Sequence, residues 1–128
     1  MSEKVKKVLV VDDEEHIRLL YSEELKEEGY EVLTAKDAKD ADKKIGEFKP
    51  HIITLDIRMP GIDGIEFLRK FRERDKATPV ILCTAYSDYK QDFRVWASEA
   101  YVVKSSDLAP LKKTIKEVLE KTYPDGQE

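Results

Sequence analysis

The sequence predicts an α/β domain built on an open, five-stranded parallel sheet with helices on both faces. Three observations carry that expectation. Five short apolar runs rich in β-branched residues recur along the chain, helical patterns lie between them, and no linker interrupts the alternation. A chain of 128 residues also has the length of one ordinary domain.

Residues 8–11 form a continuous apolar run, as a strand buried on both faces requires. Residues 30–35 alternate instead, which suits a position nearer an edge. Further strand-like runs occupy residues 52–55, 80–83 and 101–103. Between them, Ile17, Leu20, Tyr21 and Leu25 recur at helical spacing, as do Ala38, Ala41, Ile45 and Phe48, and then Ile65, Leu68 and Phe71. A weaker pattern surrounds Phe93, Trp96 and Ala97, and a strong one joins Leu108, Leu111, Ile115, Val118 and Leu119. Gly29 and Pro50 are expected to stop the first two helices, and Pro79 to open a strand. Pro110 cannot lie deep in a helix. The last helix should therefore start no earlier than Asp107, with Ser105, Ser106 or Asp107 as its cap.

The formal net charge is −4, with 39% of residues charged and 41% hydrophobic, which describes a soluble domain with a charged surface and disfavours nucleic acid as a direct ligand. Short basic clusters, such as Lys43 and Lys44, or Arg69, Lys70, Arg72 and Arg74, are interleaved with acids and suit solvated helix faces. Cys83 is the only cysteine, which excludes an internal disulfide and fits a reducing compartment. The first seven residues are polar and charged, and no apolar run approaches membrane-spanning length. A cytoplasmic protein with no membrane contact is expected. The domain should cover residues 1–122, and residues 123–128, a polar tail, are too short for an output domain, so a stand-alone unit is expected.

The apolar runs end in reactive side chains: Asp12 and Asp13 after the first, Asp56 after the third, Thr84 after the fourth and Lys104 after the fifth. In a parallel sheet these ends share one edge, where ligands bind in the crevice at which the chain switches faces. Three clustered carboxylates repel one another, and a divalent hard cation removes that cost. Mg²⁺ suits the site because it prefers oxygen ligands and retains waters that a phosphoryl oxygen can replace. Lys104 would complete a neutral set, and it could hold phosphoryl oxygens together with the metal and the Thr84 hydroxyl. Singly, each residue has a plainer explanation. Asp12 and Asp13 could cap a helix, Asp56 could open a turn, and Lys104 and Tyr101 could be a surface lysine and a packed aromatic. The constellation outweighs these. For Cys83, His16, His51, Trp96 and the two methionines, a structural role is expected.

Val8-Leu9-Val10-Val11-Asp12-Asp13-Glu14, Asp56-Ile57-Arg58-Met59-Pro60-Gly61-Ile62-Asp63-Gly64, Thr84-Ala85 and Tyr101-Val102-Val103-Lys104 together resemble the signature of receiver domains of two-component response regulators. The resemblance spans nearly the whole chain and implies a flavodoxin-like (βα)5 fold with strand order 2-1-3-4-5. It implies that Asp56 is phosphorylated by a sensor histidine kinase or a histidine phosphotransfer protein. By the same resemblance Asp13 and Asp56 ligate Mg²⁺, Asp12 acts through water, and the Arg58 backbone carbonyl completes the protein ligands. Thr84 and Lys104 hold the phosphoryl group, and Thr84 and Tyr101 form the switch. The fourth helix, fifth strand and fifth helix then present a face to a downstream protein target. Arg58 and Tyr86 flank the path of the hydrolytic water. Such a protein is a switch that assists its own phosphorylation and dephosphorylation, not an enzyme with a separate substrate.

Two departures stand out. Ser105 follows Lys104 where the family usually has proline, so a trans bond is expected there, and Ala97 and Ser98 replace the common Gly-Ala. Three rival readings are weaker. A haloacid-dehalogenase-type phosphohydrolase needs a second Asp where Arg58 stands, and a nucleotide switch needs a Gly-rich phosphate loop that is missing. A phosphorylation-independent module would not need Asp12, Asp13, Asp56, Thr84 and Lys104 all intact.

Overall fold

The computed structural model describes residues 5–57, 63–84, 98–105 and 107–124. Five strands, β1 (Lys7–Val11), β2 (Glu31–Ala35), β3 (Ile52–Asp56), β4 (Val80–Thr84) and β5 (Ala100–Val103), form one sheet in the order β2-β1-β3-β4-β5. Every pairing is parallel. β3 and β4 are buried at all five positions, as strands covered on both faces must be, whereas β2 and β5 are edge strands with partly exposed residues. The alternation in residues 30–35 therefore marked an edge.

The described helices are α1 (Glu15–Glu27), α2 (Ala38–Phe48), α3 (Gly64–Arg74) and α4 (Ala109–Thr122). The expected helix around Phe93, Trp96 and Ala97 lies outside the described residues. On one face of the sheet, Val8, Val10, Ile52 and Ile81 pack with Tyr21 and Leu25 of α1 and with Leu111, Ile115 and Leu119 of α4. On the other, Leu9, Leu55 and Leu82 meet Ala38 and Ala41 of α2 and Ile65, Phe67, Leu68 and Phe71 of α3. Consecutive residues of each strand thus feed opposite cores. Leu20 departs from expectation, being 38% exposed, because Tyr21 and Leu25 turn α1 towards the sheet. Among the described residues no helix is long and apolar enough to cross a membrane.

Several helix ends have a local cause. Gly29 ends α1 with φ of 98°, and the Gly29 and Tyr30 amides donate to the Lys26 and Leu25 carbonyls. Asp37 caps α2 by accepting the Asp40 amide at 2.8 Å, and Asp63 caps α3 by accepting the Glu66 amide at 2.8 Å. α4 starts at Ala109 with Pro110 in its first turn. The cap position falls on Leu108, which makes no side-chain cap bond, instead of the expected Ser105, Ser106 or Asp107, although the Asp107 carboxylate accepts the Ala109 amide at 3.0 Å from one residue further out. No cis peptide occurs among the described residues, so the Lys104–Ser105 bond is trans, as the missing proline led one to expect.

The end of the sheet away from the strand C-termini is tied by His51. Its Nδ1 accepts the Lys7 amide at 2.9 Å, while its carbonyl accepts the Tyr123 hydroxyl at 2.9 Å and the two rings meet edge-on. His51 is thus a packed structural residue, and Tyr123, just past α4, is anchored.

The end of α2 carries strain that the expected stop at Pro50 did not locate. Lys49, one residue earlier, takes the left-handed conformation with φ of 53°. A side chain there costs about 1–2 kcal/mol relative to glycine, and glycine's looser unfolded chain offsets about 0.4–1 kcal/mol of the gain. Lys49→Gly should therefore stabilise the fold by about 0.5 kcal/mol. Urea titration should show a higher midpoint at unchanged slope; a lower midpoint would contradict the assignment of strain.

Candidate functional site

Parallel register brings the strand ends together. Val11 of β1 lies beside Leu55 of β3, so Asp12 and Asp56 each stand one residue beyond that pair on adjacent strands. Ligand oxygens of Asp12, Asp13 and Asp56 all lie within 4.8 Å of one another. Asp12 and Asp56 are buried and Asp13 is exposed. Lys104, just past β5, reaches into this group: its Nζ is 2.6 Å from Asp12 Oδ2, 3.5 Å from Asp56 Oδ1 and 3.9 Å from Glu14 Oε1. Burial works against the Lys104 ammonium, but the hydrogen bond to Asp12 and the charges of Asp12 and Asp56 outweigh it. Its pKa therefore lies above the ordinary lysine value.

The carboxylates differ in what remains of their bonding capacity. Asp12 is committed on both oxygens, Oδ1 accepting the Glu14 amide at 2.9 Å and Oδ2 the Lys104 ammonium. Arg18 binds the Asp12 carbonyl at 2.9 Å, and the Asp12 amide donates to Ala35 at 3.0 Å, so the residue is held from three sides. Asp13 makes no hydrogen bond or ion pair with any described residue. An exposed carboxylate beside a buried one, with the third fixed behind them, suits a hard cation that keeps part of its water shell. The plainer reading of Asp12 and Asp13 as helix caps fails, because α1 begins after Glu14 and no side chain caps it.

Thr84 ends β4, is fully buried, and its carbonyl accepts the Lys104 amide at 2.6 Å, which fixes the start of the Lys104 loop. By strand alternation Thr84 shares a sheet face with Leu82, whose register partner is Tyr101. Tyr101 is half-buried and packs against the α2–α3 side of the core. Arg58 and Tyr86 lie outside the described residues. Cys83, the register partner of Asp56, is fully buried, and burial pushes its thiol up to about 12, the nearby Asp12 and Asp56 charges adding and Lys104 opposing. Such a thiol is inert, as a structural role requires.

One residue matters more than its place in the motif suggested. The Gly64 amide donates to the Ile57 carbonyl at 2.6 Å, and a Cβ built on Gly64 would stand 2.1 Å from the Asp56 carbonyl oxygen and 2.8 Å from Ile57 Cα. Helix α3 therefore touches the backbone of Asp56 directly, and only a residue without a side chain permits it. The sequence signal was a glycine directly after the capping aspartate.

A sequence profile described as "Response regulator receiver domain" matches residues 8–116. The chain belongs to the response regulator receiver family. It is 31% identical over 115 residues to sporulation initiation phosphotransferase F of Bacillus subtilis, covering 88% of this chain and 93% of that protein. It is 32% identical over 118 residues to the regulatory protein AtoC of Escherichia coli, covering 91% of this chain but only 26% of that longer regulator. Among solved structures it is similar to the response regulator TrrA of Thermotoga maritima in complex with Mg²⁺-BeF, at 46% identity and a TM-score of 0.86, covering 89% of this chain and 99% of that one. TrrA has also been solved in complex with the histidine kinase ThkA.

Gly64→Ala should cost at least the 1–3 kcal/mol of an overpacked core position, since the obstruction is backbone that cannot turn aside. A lowered urea midpoint would bear this out, and wild-type stability would show that α3 does not press on Asp56.

Proposed function

We propose that the Asp56 carboxylate of this receiver takes a phosphoryl group from a phosphohistidine of a sensor histidine kinase or a histidine phosphotransfer protein, and so switches partner binding. The observation that carries the proposal is the convergence of three carboxylates and one ammonium at the C-terminal edge of a parallel sheet. Asp13 and Asp56, with Asp12 acting through water and the Arg58 carbonyl as a further ligand, would hold Mg²⁺. When bound, the cation offsets carboxylate repulsion and the charge of the phosphoryl oxygens.

An Asp56 oxygen attacks phosphorus in line, the P–N bond to the donor imidazole breaks as the new O–P bond forms, and the released imidazole takes a proton from solvent. Lys104 lies 3.5 Å from the attacking carboxylate, so its ammonium can meet a phosphoryl oxygen with little backbone movement. The Thr84 hydroxyl supplies a second contact. The same groups serve hydrolysis, in which water attacks phosphorus, the P–O bond to Asp56 breaks and inorganic phosphate leaves as the carboxylate is restored. The protein thus assists its own turnover without acting on a separate substrate. Leu19 and Leu20 of α1, 59% and 38% exposed, supply an apolar surface for the donor protein on the helix that follows Asp12 and Asp13. The receiver unit is taken as residues 1–122 with 123–128 as a tail, although the first residue of that tail, Tyr123, is packed back onto His51 and belongs with the core.

Incubation with Mg²⁺ and acetyl phosphate should add the mass of one phosphoryl group to the intact protein. Asp56→Asn should abolish the gain, excess chelator should prevent it, and Asp13→Ala should slow uptake by about tenfold or more, the equivalent of 1.4 kcal/mol in the barrier. Equal labelling of Asp56→Asn would place the acceptor elsewhere.

Readout is assigned to Thr84 and Tyr101. Movement of the Thr84 hydroxyl towards a phosphoryl group gains a charge-assisted hydrogen bond and vacates space on the sheet face that it shares with Tyr101. Inward rotation of Tyr101 then changes the surface made by the fourth helix of the sequence pattern, β5 and α4, where Val103 is 38% exposed. A downstream protein that prefers one arrangement shifts the population by its differential affinity. Tyr101→Ala should keep phosphoryl uptake yet lose most of the phosphorylation-dependent gain in partner affinity, measured by titration of a cognate target. An intact gain would route the signal elsewhere.

A further inference from the structure

Helices α2 and α3 enclose a cleft of about 280 Å³ on the sheet face opposite α1 and α4. Its floor is the margin of Phe67 and Phe71, whose rings stack with centroids 6.2 Å apart and planes 6° from parallel. One end is closed by the ion pair between Arg74 and Asp42. The remaining polar lining is cationic: Lys39 from α2 and Lys70 from α3, both exposed.

The charges of this region are unevenly spent. α3 carries four cationic and two anionic side chains in a protein whose net charge is −4. Arg69 is engaged by Glu66 and Glu73, Arg72 by Glu99 and the Thr78 carbonyl, and Arg74 by Asp42. Lys70 and Lys39 form no ion pair or hydrogen bond with any described residue. Within the basic cluster of α3 the arginines are thus paired and Lys70 has no partner among the described residues, and Lys39 of α2, likewise without one, lies on the opposite wall of an apolar-floored cleft.

We propose that this cleft binds a small aromatic dianion, its ring against the Phe67–Phe71 margin and its two anionic groups on Lys39 and Lys70. Three features select that class. The volume falls just below the usual range of about 300–1,000 Å³ for ligand pockets, so it admits one ring-sized body and nothing larger. Two ammoniums without a partner among the described residues match two negative groups, and carboxylate or phosphate bound to either gains a charge-assisted hydrogen bond. A protein partner would need about 1,200–2,000 Å² of contact, far more than the cleft offers. The site is separate from Asp56, goes beyond the phosphoryl-acceptor reading and does not depend on it.

The test is an amide NMR titration of the full chain with isophthalate, alongside glutarate, a dianion without a ring, and benzyl alcohol, a ring without charge. Isophthalate should produce saturable shifts centred on residues 38–42 and 67–74, and each control should bind at least tenfold more weakly. The double variant Lys39→Glu, Lys70→Glu should weaken isophthalate at least tenfold while leaving the thermal midpoint and Asp56 labelling by acetyl phosphate unchanged. Added salt should also weaken binding, because both ammoniums are exposed. Shifts that fail to saturate or centre elsewhere, glutarate binding as well as isophthalate, or unaltered affinity in the double variant would each overturn the proposal. Failure of Asp56 labelling in the wild type would sink the receiver mechanism and leave this one standing.

Discussion

Like charge crowded onto one edge of the sheet is the constraint to which much of the remaining structure answers. Asp12 and Asp56 are buried side by side because β1 and β3 are neighbours, and burial of two anions in a low-dielectric setting is costly unless cations meet them. Lys104 is the internal response. Its position one residue past β5 lets the ammonium lie across the ends of the intervening strands and touch both acids. The arrangement is stable enough to form and unsatisfied enough to take a cation and a phosphoryl group, since Asp13 stays exposed beside it.

Backbone geometry at the same edge leaves little slack. Asp12 is fixed by Ala35, Arg18 and Glu14, Lys104 by the Thr84 carbonyl, and Asp56 by the close approach of Gly64. A site that works by positioning and charge gains from such rigidity, because groups already in place need not reorganise when charge develops. Thr84 and Tyr101 sit differently: both belong to one sheet face, but Thr84 is fully buried at the end of β4 whereas Tyr101 is half-buried beside the α2–α3 core.

The α2–α3 side answers a different demand. Its inner surface is a shared apolar core with the sheet, and its outer surface spends most of its charge in helix-to-helix and within-helix pairs. Surface pairs of this sort contribute little stability each. Their consequence here is selective, since the arginines of α3 are paired while Lys70, like Lys39 of α2 across the cleft, has no partner among the described residues.

By itself the sequence determined the types of the described elements, the edge position of β2, the burial of the central strands, and the identity of the side chains that terminate each strand. Those features are local: a period of two or 3.6, a capping aspartate and a reactive residue closing an apolar run are all visible within a few positions. The combination of strand ends also sufficed to expect Asp12, Asp13, Asp56, Thr84 and Lys104 at one edge. Tertiary structure alone decided the distances. It set Lys104 closer to Asp12 than to Asp56, engaged both oxygens of Asp12 and left Asp13 outward, pressed Gly64 onto the Asp56 carbonyl, turned Leu20 to solvent, and strained Lys49 ahead of Pro50. These depend on register between strands and on how crossover helices settle against the sheet, which are relations between segments far apart in the chain. No local period encodes them, because the same apolar spacing is compatible with several rotations of a helix about its own axis.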